Sequence, residues 1–513
     1  MSAEQAPLPP RSPSGKRRKL PALLALAAVP LLAVAVYLIV VVLRFSGDNP
    51  VIYEDDARHF KYGSIGTEAE GGIPYWVWRA MAGLFHQEMD AVGYIFFGFT
   101  YEDDEAGHPY DLPVGVSRRR IGGIDRVGFN CAVCHAGTFR ERRELPAVVV
   151  PGAPANQLDL GRFYRFLFAA AVDERFSPPV MLDMMERVGA EFDWADRLVY
   201  RYLVIPQARD RILRWRHRLL PLLERQPAWG GGRADLIHLV DALVLDQPMY
   251  ALTNEELLGT ADIPSIWMQG PRTELNGHWG GNNSRLDERI RFDALAIGAT
   301  PETLDRPALE RVQRYLAGLR PPSNPQLEQV DVALARRGRA IYDAQCAECH
   351  GFWEGTYAFE GDRLGGIEAA ERIGTDPARA AAFTERVAKG LAERFADRGD
   401  FSMAGFKSTR GYVNLPLDGL WLRAPYLHNG SVPTLSDLLE PPGRHPVNFL
   451  RGNNLLNYER GGFAGSACSP DRLYQRYFCF DTRLRGNGNG GHTYGTALPA
   501  PDKRALLEHL RSF

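Results

Sequence analysis

Two short stretches, Cys131-Ala132-Val133-Cys134-His135 and Cys346-Ala347-Glu348-Cys349-His350, limit what this chain can fold into more than any other feature. Each is C-x-x-C-H, the pattern by which a c-type haem is fixed to a polypeptide. Two thiols three positions apart can each bond one vinyl group of the porphyrin. The histidine that follows is then held beneath the iron as its proximal ligand. With 6 Cys and 12 His in 513 residues, a shuffled chain would hold about 0.002 such matches. A structural zinc site needs a second ligand pair at finger-like spacing, and these pairs lie 215 positions apart. A thioredoxin-like redox pair has no need of the histidine. The expectation is two covalent c-type haems, with His135 and His350 as iron ligands.

The remaining composition excludes little. Charged residues make up 24% and the formal net charge is −2, so nothing points to nucleic acid. Length allows two or three domains, and 51 Gly with 36 Pro predict many loops. Residues 1–15 read as a Pro/Ser/Ala-rich tail, followed by the basic block Lys16-Arg17-Arg18-Lys19. Residues 20–43 then run uncharged, long enough to cross about 30 Å of hydrocarbon. Basic residues on the leading side put that tail in the cytoplasm and the bulk of the chain in the periplasm of a bacterial inner membrane. An uncleaved anchor is preferred to a cleaved signal, because no A-x-A exit site is evident.

Along the chain, helical patterns are expected over residues 74–89, 155–172, 180–188, 208–223, 307–319 and 331–345. The arginines of 208–223 read as a solvated face. The breakers in Arg320-Pro321-Pro322-Ser323-Asn324-Pro325 mark a boundary. Gly338, one turn before Tyr342, would let another helix cross closely, and residues 503–513 supply a candidate. The predicted fold is mainly α. One N-terminal transmembrane helix (20–43, after a basic tail 1–19) precedes two cytochrome-c-like haem domains, 44–325 and 326–513, with long loop-rich insertions. Gly277-His278-Trp279-Gly280-Gly281 is a loop of functional composition. Cys468 and Cys479 remain after the haems are counted, and outside the cytoplasm they are expected to form a disulfide. Met403 stands at a spacing from His350 at which class I cytochromes often place an axial methionine.

Arg423-Ala424-Pro425-Tyr426-Leu427-His428-Asn429-Gly430 resembles the signature of the bacterial dihaem cytochrome c peroxidase superfamily, which includes the MauG maturation enzymes. The preceding Pro416-Leu417-Asp418-Gly419-Leu420-Trp421 and the late Gly491-His492-Thr493-Tyr494-Gly495-Thr496 are most similar to its rubber-oxygenase-like (RoxA-like) branch. The resemblance implies two haems, one reacting with substrate and one relaying electrons. It implies that His492 completes bis-histidine coordination of the second haem, against the rival Met403. It implies an exchangeable sixth site at the first haem, for which His278-Trp279 is the nearest match, the histidine being a departure from the oxygenase pocket. His278 could act as general base toward peroxide, hydrogen-bond to dioxygen, or be a plain sixth ligand. His428 is expected to be a hydrogen-bonding structural residue.

The function these features predict is a membrane-anchored periplasmic oxidoreductase that reacts with peroxide, dioxygen or an organic substrate. It would exchange electrons with a small redox protein. The alternative is an electron carrier with both haems six-coordinate.

Overall fold

The computed structural model describes residues 31–513, except 33, 38, 40–42, 45, 104–106, 109, 354–358, 466 and 469–476. Two compact units result: residues 1–49 with 120–124, and residues 50–119 with 125–513. Both C-x-x-C-H motifs lie in the second unit.

The mainly α expectation needs correction. Helix accounts for about 41% of the structure, and short antiparallel ladders run between the helices. Ala136–Phe139 pairs with Val148–Pro151, Ile367–Ala369 with Gly411–Val413, and Asn448–Arg451 with Phe478–Asp481. The reason is local. β-branched runs such as Val148-Val149-Val150 favour the pleated surface, while frequent Gly and Pro stop helices early. The transmembrane helix is also overturned. No helix among the described residues is long and apolar enough to cross a membrane. Of the run 20–43, residues 20–30, 33, 38 and 40–42 lie outside the described residues.

The periodic helices form near their expected positions. Leu160–Val172 starts where the Asp159 carboxylate accepts the Arg162 N–H at 2.9 Å, and it buries Phe163, Phe166, Leu167 and Phe168. Ile205–Arg225 packs against it and continues from Trp194–Val199 through one π turn, Tyr200–Val204, next to which Pro206 removes a helical N–H. Val332–Gln345 is capped by Asp331 and runs straight into the second motif. It crosses the closing helix Ala500–Leu510 at Gly338, where a Cβ would lie 1.9 Å from the Ala505 carbonyl oxygen. Only glycine permits that approach. The crossing lies beside a core of Tyr342, Ala347, Leu506, Leu510 and Phe513 under the second motif. Each large side chain there adds about 1.5–3 kcal/mol by burial.

Candidate functional site

The strand Ile124–Phe129 delivers the chain to Asn130, whose side chain pins the turn that follows. Asn130 Oδ1 accepts the Ala132 N–H at 3.0 Å, and Nδ2 donates to the Gly63 carbonyl at 3.0 Å. Ala132–His135 then makes one helical turn, which sets Cys131 and Cys134 on the same face. His135 Nδ1 lies 3.0 Å from the Pro264 carbonyl oxygen. A carbonyl can only accept, so Nδ1 carries the proton and the Nε2 lone pair is left for iron. Burial pulls the His135 imidazole below its usual range, with Asp293 opposing, and pushes the Cys131 and Cys134 thiols up to about 12.

These residues line a cavity with His278, Trp279, Phe292 and Arg379. The structure thus brings His135, His278 and Trp279 together. His278 sits at positive φ (57°) with its Nε2 3.4 Å from Asp293 Oδ1 and without a hydrogen bond. Its ring packs against Phe292 and Phe406. Trp279 is fixed by a 2.6 Å hydrogen bond from Nε1 to the Asp262 carbonyl. Arg379 is 9% exposed and its Nη1 has no partner. A buried guanidinium nitrogen without an acceptor is costly, and a porphyrin propionate would supply one. The residues here therefore fit a haem. Among the described residues no group of three His, Cys, Asp or Glu is arranged to hold a bare metal ion.

The second motif repeats the arrangement. His350 Nδ1 lies 2.7 Å from the Leu415 carbonyl oxygen, so its Nε2 is likewise free to ligate. Tyr342, on the entry helix, donates to the Gly351 carbonyl at 2.8 Å and fixes the end of the turn. Facing His350 is the ring of His492, with centroids 6.2 Å apart and planes tilted by 50°. Metal–imidazole bonds of about 2.0–2.1 Å on both sides of one ion would set ring centres about 6 Å apart. The spacing fits one iron between them. His492 is carried there by a tight backbone contact. Its N–H donates to the Ile373 carbonyl at 3.0 Å, and Gly491 at φ 73° lies so close to Gly374 that a Cβ would meet its carbonyl carbon at 2.2 Å. Burial and the neighbouring His350 hold the His492 imidazole down at about 4, so it is a neutral donor. No second histidine ring stands against His135 in this way among the described residues.

Met403 is fully buried, in a loop hydrogen-bonded to residues 282–288 through Gly405 N to Glu288 and Lys407 N to the Asn282 carbonyl. The same loop stacks Phe406 on His278, on the side of the first cavity. His428 stacks on Tyr412 at 4.0 Å, its Nε2 2.9 Å from the hydroxyl, a structural role as expected. Cys468 and Cys479 are joined by a disulfide, with Cα atoms 5.7 Å apart.

Residue patterns gave no hint of several participants. The Pro264 and Leu415 carbonyls orient both proximal histidines, yet any residue type has a carbonyl. Asp293 and Arg379 come from unrelated helices. The stretch 415–423 belongs to both sites: the Leu415 carbonyl holds His350, while Leu415, Pro416 and Arg423 line the first cavity. Asp418, completely buried, accepts from Arg272 and from Arg423 (3.0 Å), two guanidiniums of that cavity wall.

A family model described as RoxA-like, cytochrome c-like matches residues 411–448, the stretch that runs through Leu415, Arg423 and His428. It supports the RoxA-like resemblance and not the peroxidase/MauG superfamily as such. The chain is 27% identical over 481 residues to the uncharacterized protein y4iJ of Sinorhizobium fredii, covering 76% of this chain and 77% of that one. It is 36% identical over 216 residues to the uncharacterized protein y4iM of the same organism, covering 37% and 46%.

Proposed function

Starting from a chain that carries a RoxA-like cytochrome c domain, and hence a covalently bound c-type haem, we propose that this cytochrome is an oxidoreductase with two covalent haems of unequal reactivity. The second, held by Cys346, Cys349, His350 and His492, relays electrons. The first, held by Cys131, Cys134 and His135, reacts with peroxide, dioxygen or an organic substrate. The observation that carries this reading is the asymmetry of the two histidines: His350 faces His492 across 6.2 Å, and His135 has no such counterpart among the described residues.

When bound, the haems supply one-electron redox chemistry and an iron able to take peroxide or dioxygen. The chain's own residues do the rest. Hydrogen bonds from His135 to Pro264 and from His350 to Leu415 fix both imidazoles as Nε2 donors. His278 is available to accept a proton from an incoming peroxide, and Asp293, 3.4 Å from its Nε2, stabilises the resulting imidazolium. Trp279 and Phe292 form apolar wall around it. Arg379, buried in the cavity with Nη1 unpartnered, would hold an anionic propionate. The Cys468–Cys479 bridge supports residence in an oxidising compartment outside the cytoplasm. There a small redox protein would exchange electrons with the second haem.

Carbon monoxide added to the reduced holoprotein tests this reading. Only one of two haems should respond, and replacing His135 should remove that response. Two unresponsive haems would instead mean a carrier with both irons six-coordinate.

A further inference from the structure

A separate cavity of about 610 Å³ opens beside the first haem site, within the size range of small-molecule sites. Its floor is apolar: Trp78, Val127, Phe163, Leu167, Leu295 and Phe395 are each at most 3% exposed. Its rim is cationic. The helix Ile205–Arg225 turns Arg211, Arg214 and Arg218 toward it at spacings of three and four, so this arginine stripe does more than face solvent. Arg394 and Arg398 line it as well, against three carboxylates, Glu70, Asp246 and Glu302. Arg218 lies 2.8 Å from Asp246, and Arg398 pairs with Glu302. Arg211 donates to the Ala69 and Gly72 carbonyls at 3.1 Å. Arg214 and Arg394 have no ion-pair partner among the described residues. The cavity also adjoins the first haem site. Ile297 lines both, and Val127, Gly128 and Phe129 on this side lead directly into Asn130 and Cys131 on the other.

We propose that this cavity binds an anionic amphiphile, a long-chain carboxylate. The headgroup lies at Arg214 and Arg394, and the chain runs along the apolar floor toward Ile297 and the first haem. A neutral hydrocarbon would leave the rim cations unused, and a small anion would leave the floor uncovered. Only a molecule with both parts gains charge-assisted hydrogen bonds and apolar burial together. The inference rests on the first haem being the reactive one, and so supplies a substrate class for that site.

The test is calorimetric titration of the holoprotein with laurate, 1-dodecanol and inorganic phosphate, comparing the wild type with the R214E/R394E double variant. Both arginines are exposed, so an unchanged haem spectrum and circular dichroism will certify the fold. Laurate should bind at least about tenfold more tightly than either comparison compound. The double variant should lose about tenfold or more for laurate and nothing for dodecanol. Laurate no tighter than phosphate would mean an anion patch only, and laurate no tighter than dodecanol would mean an apolar hole only. Either result, or indifference to charge reversal, overturns the proposal. Carbon monoxide binding on the same sample separates the two readings: an intact response without laurate binding sinks only this inference, whereas a lost response sinks the proposed function.

Discussion

At the scale of single residues, the two sites differ in what faces the proximal histidine. His278 shares the cavity of His135 but makes no hydrogen bond through Nε2, and Asp293 stands 3.4 Å away. An imidazole nitrogen without a hydrogen bond and with a carboxylate beside it is placed to act as a general base. His278→Ala is therefore expected to slow peroxide-dependent turnover by about 10²–10⁴-fold and to leave the optical spectrum of the second haem unchanged. Stopped-flow spectra resolved at each haem would check this, and an equal change at both haems would contradict it. At this scale much of the candidate site was legible. Cysteine and histidine announce themselves by spacing in the two motifs, and His492 by the resemblance of Gly491-His492-Thr493-Tyr494-Gly495-Thr496 to the RoxA-like branch. Asp293, Arg379 and the two backbone carbonyls were not legible. Their roles come from where the chain folds back, and local patterns do not encode that.

At the scale of elements, backbone approach sets the geometry of the second site. The loop bearing His492 lies directly on Gly374, and both Gly491 and His492 occupy the left-handed region, with φ of 73° and 46°. A methyl group at residue 491 collides with backbone, which cannot yield as a side chain tip can. Gly491→Ala should therefore push His492 off the iron, costing about 1–3 kcal/mol in stability and raising the high-spin fraction of the second haem. A variant with wild-type spectrum and urea midpoint would refute this. Several elements were readable from apolar periodicity, including the crossing at Gly338, because a lone glycine on a helical face advertises close packing. The short ladders were not. Two- to four-residue strands such as Arg233–Ala234 with Ala261–Asp262 carry too few alternations to register.

At the scale of the whole molecule, buried neutral histidines couple stability to pH. Burial holds His59 and His428 below the usual imidazole range and His509 at about 4. In the unfolded chain each titrates near about 6.5. Above that pH neither state binds the proton. Below it the unfolded chain takes up protons that the folded one refuses. Stability should thus be complete above about pH 6.5 and fall as pH drops toward 4, the value at which folded His509 takes up its proton. Asp262, whose carboxyl is pushed up by burial against the pull of Arg451, takes up a proton in the same window and offsets part of the loss. Urea midpoints of the holoprotein across this range should show the decline, and a flat profile would contradict it. The central claim is the division of labour between the two irons, and electron paramagnetic resonance of the oxidised holoprotein tests it most directly. The wild type should give a low-spin signal from the second haem that His492→Ala converts to high spin and Met403→Leu leaves intact. Loss of that signal in Met403→Leu, or its survival in His492→Ala, would contradict the account.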